Sequence, residues 1–183
     1  PKVAVLKCNG RPDFRPQTSV YDGPSDCRIM HNLFIGESDC SYGCLGKGDC
    51  VKACAFDALH LDPVIGLPVV NDEKCVACGA CVKACPRNLI ELRKKAKKDR
   101  KIYVACSNCD KGGPARKACK VACIGCGKCV RVCAFDAITI ENNLAYIDAQ
   151  KCTFCRKCVA ECPTGAIIEV NFPPPLLVFR VGN

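Results

Sequence analysis

The chain has 183 residues, 21 of them cysteine, with no Trp, 6% aromatic residues and a formal charge of +9. A cysteine share above roughly 8–10% defines an architecture, and so few aromatics exclude a conventional aromatic core. No stretch reaches the roughly 18 apolar residues of a membrane span, and no basic-then-apolar leader opens the chain.

The chain opens on Pro1 and its one methionine is Met30, so it reads as trimmed or as a piece of a longer protein. KVAVLKC at 2–8 predicts a buried strand ending in Cys8. Residues 9–26, rich in Pro, Gly and Asp, predict loop, and the irregular N-terminal segment extends to residue 36. An irregular cysteine run follows, Cys40-x3-Cys44-x5-Cys50-x3-Cys54. Cys75, Cys78, Cys81 and Cys85 then read C-x2-C-x2-C-x3-C, followed by Pro86. RKKAKKDRK at 93–101 carries eight charges in nine residues, and KIYVAC at 101–106 predicts a second buried strand. Cys123, Cys126, Cys129 and Cys133 repeat the regular run with Ala134 after it. Cys152, Cys155, Cys158 and Cys162 repeat it again, followed by Pro163. FPPPLLVF at 172–179 predicts a polyproline-like exit and an apolar tail.

Each run ends in a short apolar alternation: AFDALHL, PRNLIEL, AFDAITI or PTGAIIEV. Such alternation predicts strand, and the segments around each third cysteine, such as CVKAC, predict short helices. The fold class is α+β. Two tandem 2[4Fe–4S] ferredoxin-like modules, at 37–92 and 119–170, contain short β-hairpins and small helices. A basic connector and strand at 93–118 joins them, and 171–183 is the Pro-rich tail. Modules this small bury too little surface to fold on apolar contact alone, so bound metal is part of the folding energy.

Twenty-one cysteines admit disulfides, zinc or iron–sulfur clusters. Zinc ribbons space two C-x-x-C knuckles well apart, whereas these cysteines come in tight fours. His31 and His60 fit no Cys2His2 pattern. Cysteines in C-x2-C-x2-C cannot all reach disulfide partners without strain. The regular run is that of two-cluster bacterial ferredoxins, in which three thiolates wrap one cubane and the fourth ligates its neighbour.

An internal repeat interprets the irregular run. DCVKACAFDALHL at 49–61 matches KCVRVCAFDAITI at 128–140, so Cys44, Cys50 and Cys54 fall on Cys123, Cys129 and Cys133. Lys47 falls on Cys126, and Cys40 is expected to replace the missing ligand. Four [4Fe–4S] clusters follow: Cys40, Cys44 and Cys50 with Cys85; Cys75, Cys78 and Cys81 with Cys54; Cys123, Cys126 and Cys129 with Cys162; Cys152, Cys155 and Cys158 with Cys133. No catalytic residue is expected, since nothing resembles a flavin or nucleotide motif.

Beyond the cysteines, KVAVLKCNG, YDGPSDCR, SYGCLGKGDCVKAC, EKCVACGACVKACPRNLIEL, ARKACKVACIGCGKCV and ENNLAYID resemble the B subunit family of the Rnf complex. The irregular run and the VAVLKCNG opening make the likeness specific. Ala55 and Ala134 depart from it, since Pro commonly follows the fourth cysteine. The resemblance implies an iron–sulfur subunit of an ion-pumping ferredoxin:NAD oxidoreductase, relaying single electrons from ferredoxin toward membrane subunits. It implies the other complex subunits as partners and the cytoplasmic face of the bacterial inner membrane as location. It also implies an N-terminal membrane helix and a further cysteine-rich segment, neither within these residues. The alternative is a soluble polyferredoxin or an electron-transfer subunit of another redox enzyme.

Cys8, Cys27, Cys106, Cys109 and Cys119 are left over. They read either as free, partly buried thiols or as an extra ligand or a redox-active Cys106–Cys109 pair. Four oxidised clusters with their thiolates carry about −8, leaving the holo-protein near about +1 and removing a charge-based case for nucleic acid. The basic run at 93–101 reads as a solvated connector, or as a docking patch for acidic ferredoxin or anionic lipid.

Overall fold

The computed structural model describes residues 1–173, so the apolar tail lies outside the described residues. In the first half, strand β1 (Lys2–Leu6) leads to helix α1 (Cys27–Leu33) and the single turn α2 (Asp49–Lys52). The hairpin β2 (Leu59–Leu61) and β3 (Pro68–Val70), helix α3 (Ala80–Ala84) and strand β4 (Ile90–Lys94) complete it. The second half repeats the order: β5 (Lys101–Val104), α4 (Gly112–Ala118), α5 (Lys128–Arg131), β6 (Ile138–Glu141), β7 (Leu144–Ile147), α6 (Lys157–Glu161) and β8 (Ile167–Val170). The repeat thus extends well beyond the segment in which sequence identity shows it.

Among the described residues all sheets are two-stranded and antiparallel. β2–β3 and β6–β7 are local hairpins. The other two ribbons close over long distances. β1 pairs with β4, Val3 opposite Arg93, and β5 pairs with β8, Ile102 opposite Glu169. The strand expected in the N-terminal segment therefore completes the sheet of the first half, and the strand expected in the connector completes that of the second.

Each half turns cysteines toward its core. Cys50 and Cys81 pack with Ala4, Ala58, Leu59 and Ile90. Cys123, Cys129 and Cys158 pack with Ile102, Val104, Ile138, Ile147 and Ile167. Val3 and Val5 of β1 meet Tyr103 and Ala105 at β5, forming an apolar seam between the halves.

Ion pairs reinforce that seam. Arg93, only 4% exposed, pairs with Glu91 at 2.6 Å and donates to the Ile147 and Ile102 carbonyl oxygens in the other half. Lys101, also buried, pairs with Asp72 across the halves, and Lys95 pairs with Asp99 at 2.8 Å. The run at 93–101 is therefore not a solvated connector throughout. Lys94, Lys97 and Lys98 are its exposed cations.

Candidate metal centres

The same backbone path recurs at all four cysteine runs. Two residues before the third cysteine the chain is left-handed, at Gly48, Gly79, Gly127 and Arg156. Four residues before it the chain is left-handed again, at Gly46, Ala77, Gly125 and Phe154. Three residues after the fourth cysteine a third positive φ occurs, at Asp57, Asn88, Asp136 and Gly165. These turns wrap the loop around a point and then reverse it into the strand. They explain why each strand starts later than the apolar alternation alone predicts. Gly is required where the hairpin backbone comes close. A Cβ at Gly125 would lie 2.8 Å from the Asn143 carbonyl oxygen, and one at Gly46 would lie 3.0 Å from that of Gly66.

The path places four cysteines around each of four cavities, whose exposed lining is almost wholly apolar. Cys54, Cys75, Cys78 and Cys81 line one, and Cys123, Cys126, Cys129 and Cys162 another. Cys133, Cys152, Cys155 and Cys158 line the third. In each of these the fourth-position cysteine comes from the other run of its half, the crossed arrangement expected from spacing.

The remaining cavity departs from expectation. Cys44, Cys50 and Cys85 line it together with Cys27, whereas Cys40 borders a different, polar cleft. Asp49 holds Cys27 there by accepting from the backbone N–H groups of Cys27 at 3.0 Å and Arg28 at 3.3 Å. Asp26 caps α1 through the Ile29 N–H, Met30 is fully buried, and Lys52 donates to the Ser25 carbonyl oxygen at 2.7 Å. Lys47, on the loop where Cys126 stands in the second half, turns away to pair with Glu37 at 3.1 Å. Spacing could not reveal Cys27, because the second half has no counterpart that needs it.

The donor chemistry suits an iron–sulfur group. Burial, with the crowding of neighbouring thiols behind it, pushes Cys50 and Cys158 up to about 12 and Cys129 up to about 11. An apolar pocket of four such thiols opposes their ionisation, and the positive charge of iron reverses that opposition. At Cys54 and Cys162 burial also acts upward. The N–H groups of Ala58, Phe56 and Leu59, and those of Ile167, Thr164 and Ala166, outweigh it and hold these thiols below the usual range. The N–H groups of Ala58, Leu89 and Ala145 each lie 3.4 Å from a cysteine Sγ, at Cys54, Cys85 and Cys123 respectively. Such donors stabilise ligated thiolate and tune the potential of a cluster. Among the described residues no three Cys, His, Asp or Glu side chains sit tightly enough for a single metal ion.

Comparison with known proteins agrees with this chemistry. Residues 122–166 match the 4Fe-4S dicluster domain family, and residues 68–91 match the 4Fe-4S binding domain family. The B subunit of the Na(+)-translocating ferredoxin:NAD(+) oxidoreductase complex of Acetobacterium woodii is 48% identical over 91% of this chain and 49% of its own length. By sequence the chain is similar to the B subunits of these complexes. The proton-translocating counterpart from Clostridium ljungdahlii is 43% identical over 91% of the chain and 58% of its own length. The B subunit of the ion-translocating oxidoreductase complex of Methanosarcina acetivorans is 40% identical over 88% of the chain and 60% of its own length. The chain thus spans about half to three-fifths of these relatives. No helix among the described residues is long and apolar enough to cross a membrane.

Proposed function

We propose that this chain is an electron relay, passing single electrons from reduced ferredoxin toward the membrane subunits of an ion-pumping ferredoxin:NAD oxidoreductase. In this reading it works at the cytoplasmic face of the membrane, as part of an Rnf-type complex and with no substrate chemistry of its own. The observation that carries the proposal is four cysteine-lined cavities in a chain similar to the B subunits of such complexes. When bound there, [4Fe–4S] clusters accept and release one electron each with little reorganisation.

The protein's own part is to hold and insulate. Four sets of residues would ligate: Cys27, Cys44, Cys50 and Cys85; Cys54, Cys75, Cys78 and Cys81; Cys123, Cys126, Cys129 and Cys162; Cys133, Cys152, Cys155 and Cys158. Leu59, Ile90, Ile138 and Ile167 shield the cavities from water, and the N–H groups described above tune them. Exposed Cys78, Cys126 and Cys155 mark where each of their cavities comes nearest the surface, the natural points of electron entry and exit. Lys94, Lys97 and Lys98 offer positive charge to an acidic donor.

The test is anaerobic reduction of the reconstituted chain by reduced ferredoxin, followed by bleaching of the iron–sulfur absorbance. Bleaching on the timescale of mixing supports the relay. A chain that dithionite reduces but ferredoxin does not would overturn ferredoxin as donor.

A further inference from the structure

Two guanidinium groups converge on one of the four cavities, that of Cys133, Cys152, Cys155 and Cys158. Arg93 reaches it from the other half of the chain. The carbonyl oxygens of Ile102 and Ile147 accept from Arg93, and both residues line that cavity. Burial pushes the Cys152 thiol up, and the charge of Arg93 pulls against it. The carboxylate partner of Arg93, Glu91, is more exposed, 22% against 4%, and is shared with Lys7 at 3.8 Å. Water screens that carboxylate more than the guanidinium, so a positive field is left on the cavity wall.

Arg156 belongs to the cysteine run itself and lines the same cavity. It is left-handed, φ 68, at the position that Gly48, Gly79 and Gly127 hold in the other runs. A side chain there carries strain that glycine avoids. That side chain pairs with Glu169 and stacks on the Phe172 ring at 5.3 Å, with Arg100 on the same ring at 5.5 Å. Glu169 follows Cys162 at the distance at which Leu92 follows Cys85. In the first half the corresponding contact is apolar, since a Cβ on Gly79 would meet Leu92 at 3.9 Å. An ion pair thus stands at the rim of this cavity where glycine and leucine stand at its counterpart. The other cavities lack such a surplus. Asp49 and Arg87 both line that of Cys27, and those of Cys78 and Cys126 have uncharged linings among the described residues. Lys95 lies near Cys75, but Asp99 at 2.8 Å and Asp72 answer its charge.

We propose that Arg93 and Arg156 make the [4Fe–4S] centre of Cys133, Cys152, Cys155 and Cys158 the most easily reduced of the four, the place where an incoming electron settles. The proposal rests on the iron–sulfur reading above. Reduced ferredoxin loses one electron, and the loaded site with its thiolates goes from about −2 to about −3, with no proton moved and no bond exchanged. A fixed positive charge favours the more negative state, most strongly where burial removes screening. Neither arginine ligates. Both are positioning residues that act through the field, and Glu169 sets how much of the Arg156 charge the site feels.

The experiment is an anaerobic redox titration of the reconstituted full chain, followed by visible absorbance and EPR, with iron analysis of every variant. Arg93→Met should move the step of highest potential downward by about tenfold in the ratio of reduced to oxidised sites at a fixed potential, ~59 mV for one electron. Arg156→Gln should move the same step down by less, because its charge is half exposed and paired. Glu169→Gln, which frees that charge, should move the step up, and Arg93→Lys, which keeps the charge, should leave it near the wild-type position. Iron content should stay at the wild-type level throughout. Opposite shifts from the two members of one ion pair are not what a loosened rim produces. Full iron content with no shift, or with a shift confined to a later step, overturns the proposal and leaves the iron–sulfur reading standing. A chain that takes up no iron overturns both. Should Arg93→Met not fold, Arg156→Gln and Glu169→Gln decide: opposite shifts of the first step support the proposal, and shifts of one sign or none overturn it.

Discussion

The two halves run through the same elements in the same order, yet they assemble their first centre differently. In the second half, Cys123, Cys126 and Cys129 come from one continuous loop and Cys162 from the other run. In the first half the middle position is Lys47, and the fourth thiol is brought by α1. The loop nevertheless keeps its path, left-handed at Gly46 and Gly48 as at Gly125 and Gly127. The difference teaches that the backbone path, set by turns and by hairpin contact, is separable from the ligand set. A half can lose a loop cysteine and recruit another across space, provided something anchors the recruit. Asp49 is that anchor.

The largest expected effect breaks the comparison outright. Cys27→Ser should cost the chain about four irons, all from the first half, because Cys44, Cys50 and Cys85 are then the three thiols left at that cavity. Iron analysis with visible spectroscopy checks it, and retention of full iron content would return Cys40 to the ligand set. A rescue sharpens the point. If the loop path is equivalent in the halves, adding Lys47→Cys to Cys27→Ser should restore the lost irons. The cost of losing the partly buried Lys47–Glu37 pair is small, about 1 kcal/mol or less.

Next in size is the seam. Arg93→Ala removes one partner of a buried ion pair and strands carbonyl oxygens of the second half, so it should destabilise by about 3–5 kcal/mol. Anaerobic denaturant unfolding, followed by cluster bleaching, reads this as an earlier transition. Loss of both halves together would show that they are one cooperative unit. Gly125→Ala should cost about 1–3 kcal/mol, because a left-handed residue gains a Cβ against the Asn143 backbone. Ala at the equivalent position in the second run of the first half, Ala77, is already tolerated with φ 56. Hence Ala77→Gly should change stability little, and the contrast between the two is the measurement.

The smallest effect concerns charge. Replacing Lys94, Lys97 and Lys98 with Gln should slow reduction by ferredoxin a few-fold at low ionic strength and hardly at all at high salt. Stopped-flow mixing at two salt concentrations checks this, and no change at low salt moves the docking surface away from β4. Changing Arg93 or Lys101 in the same experiment would confuse docking with folding, since both are buried and bonded across the halves.

The amino-acid order by itself determined the type of centre and the placing of short helices and hairpins. These are local properties: residues two and three apart in C-x2-C-x2-C can reach one cubane only by a fixed loop path, and the alternation after each run has the period of a strand. Tertiary structure alone decided the rest. Cys27 reaches its cavity because Asp49 accepts from the N–H groups at the start of α1 and Lys52 donates to the Ser25 carbonyl oxygen, contacts that leave no spacing signal. β1 and β5 join sheets closed by strands far along the chain, so the repeat of whole halves shows only in space. Arg93 and Lys101 read as solvated cations in a basic run, until the packing of one half on the other buries both and supplies their acceptors. Burial and the meeting of distant segments are properties of the packed chain, and no window along the sequence contains them.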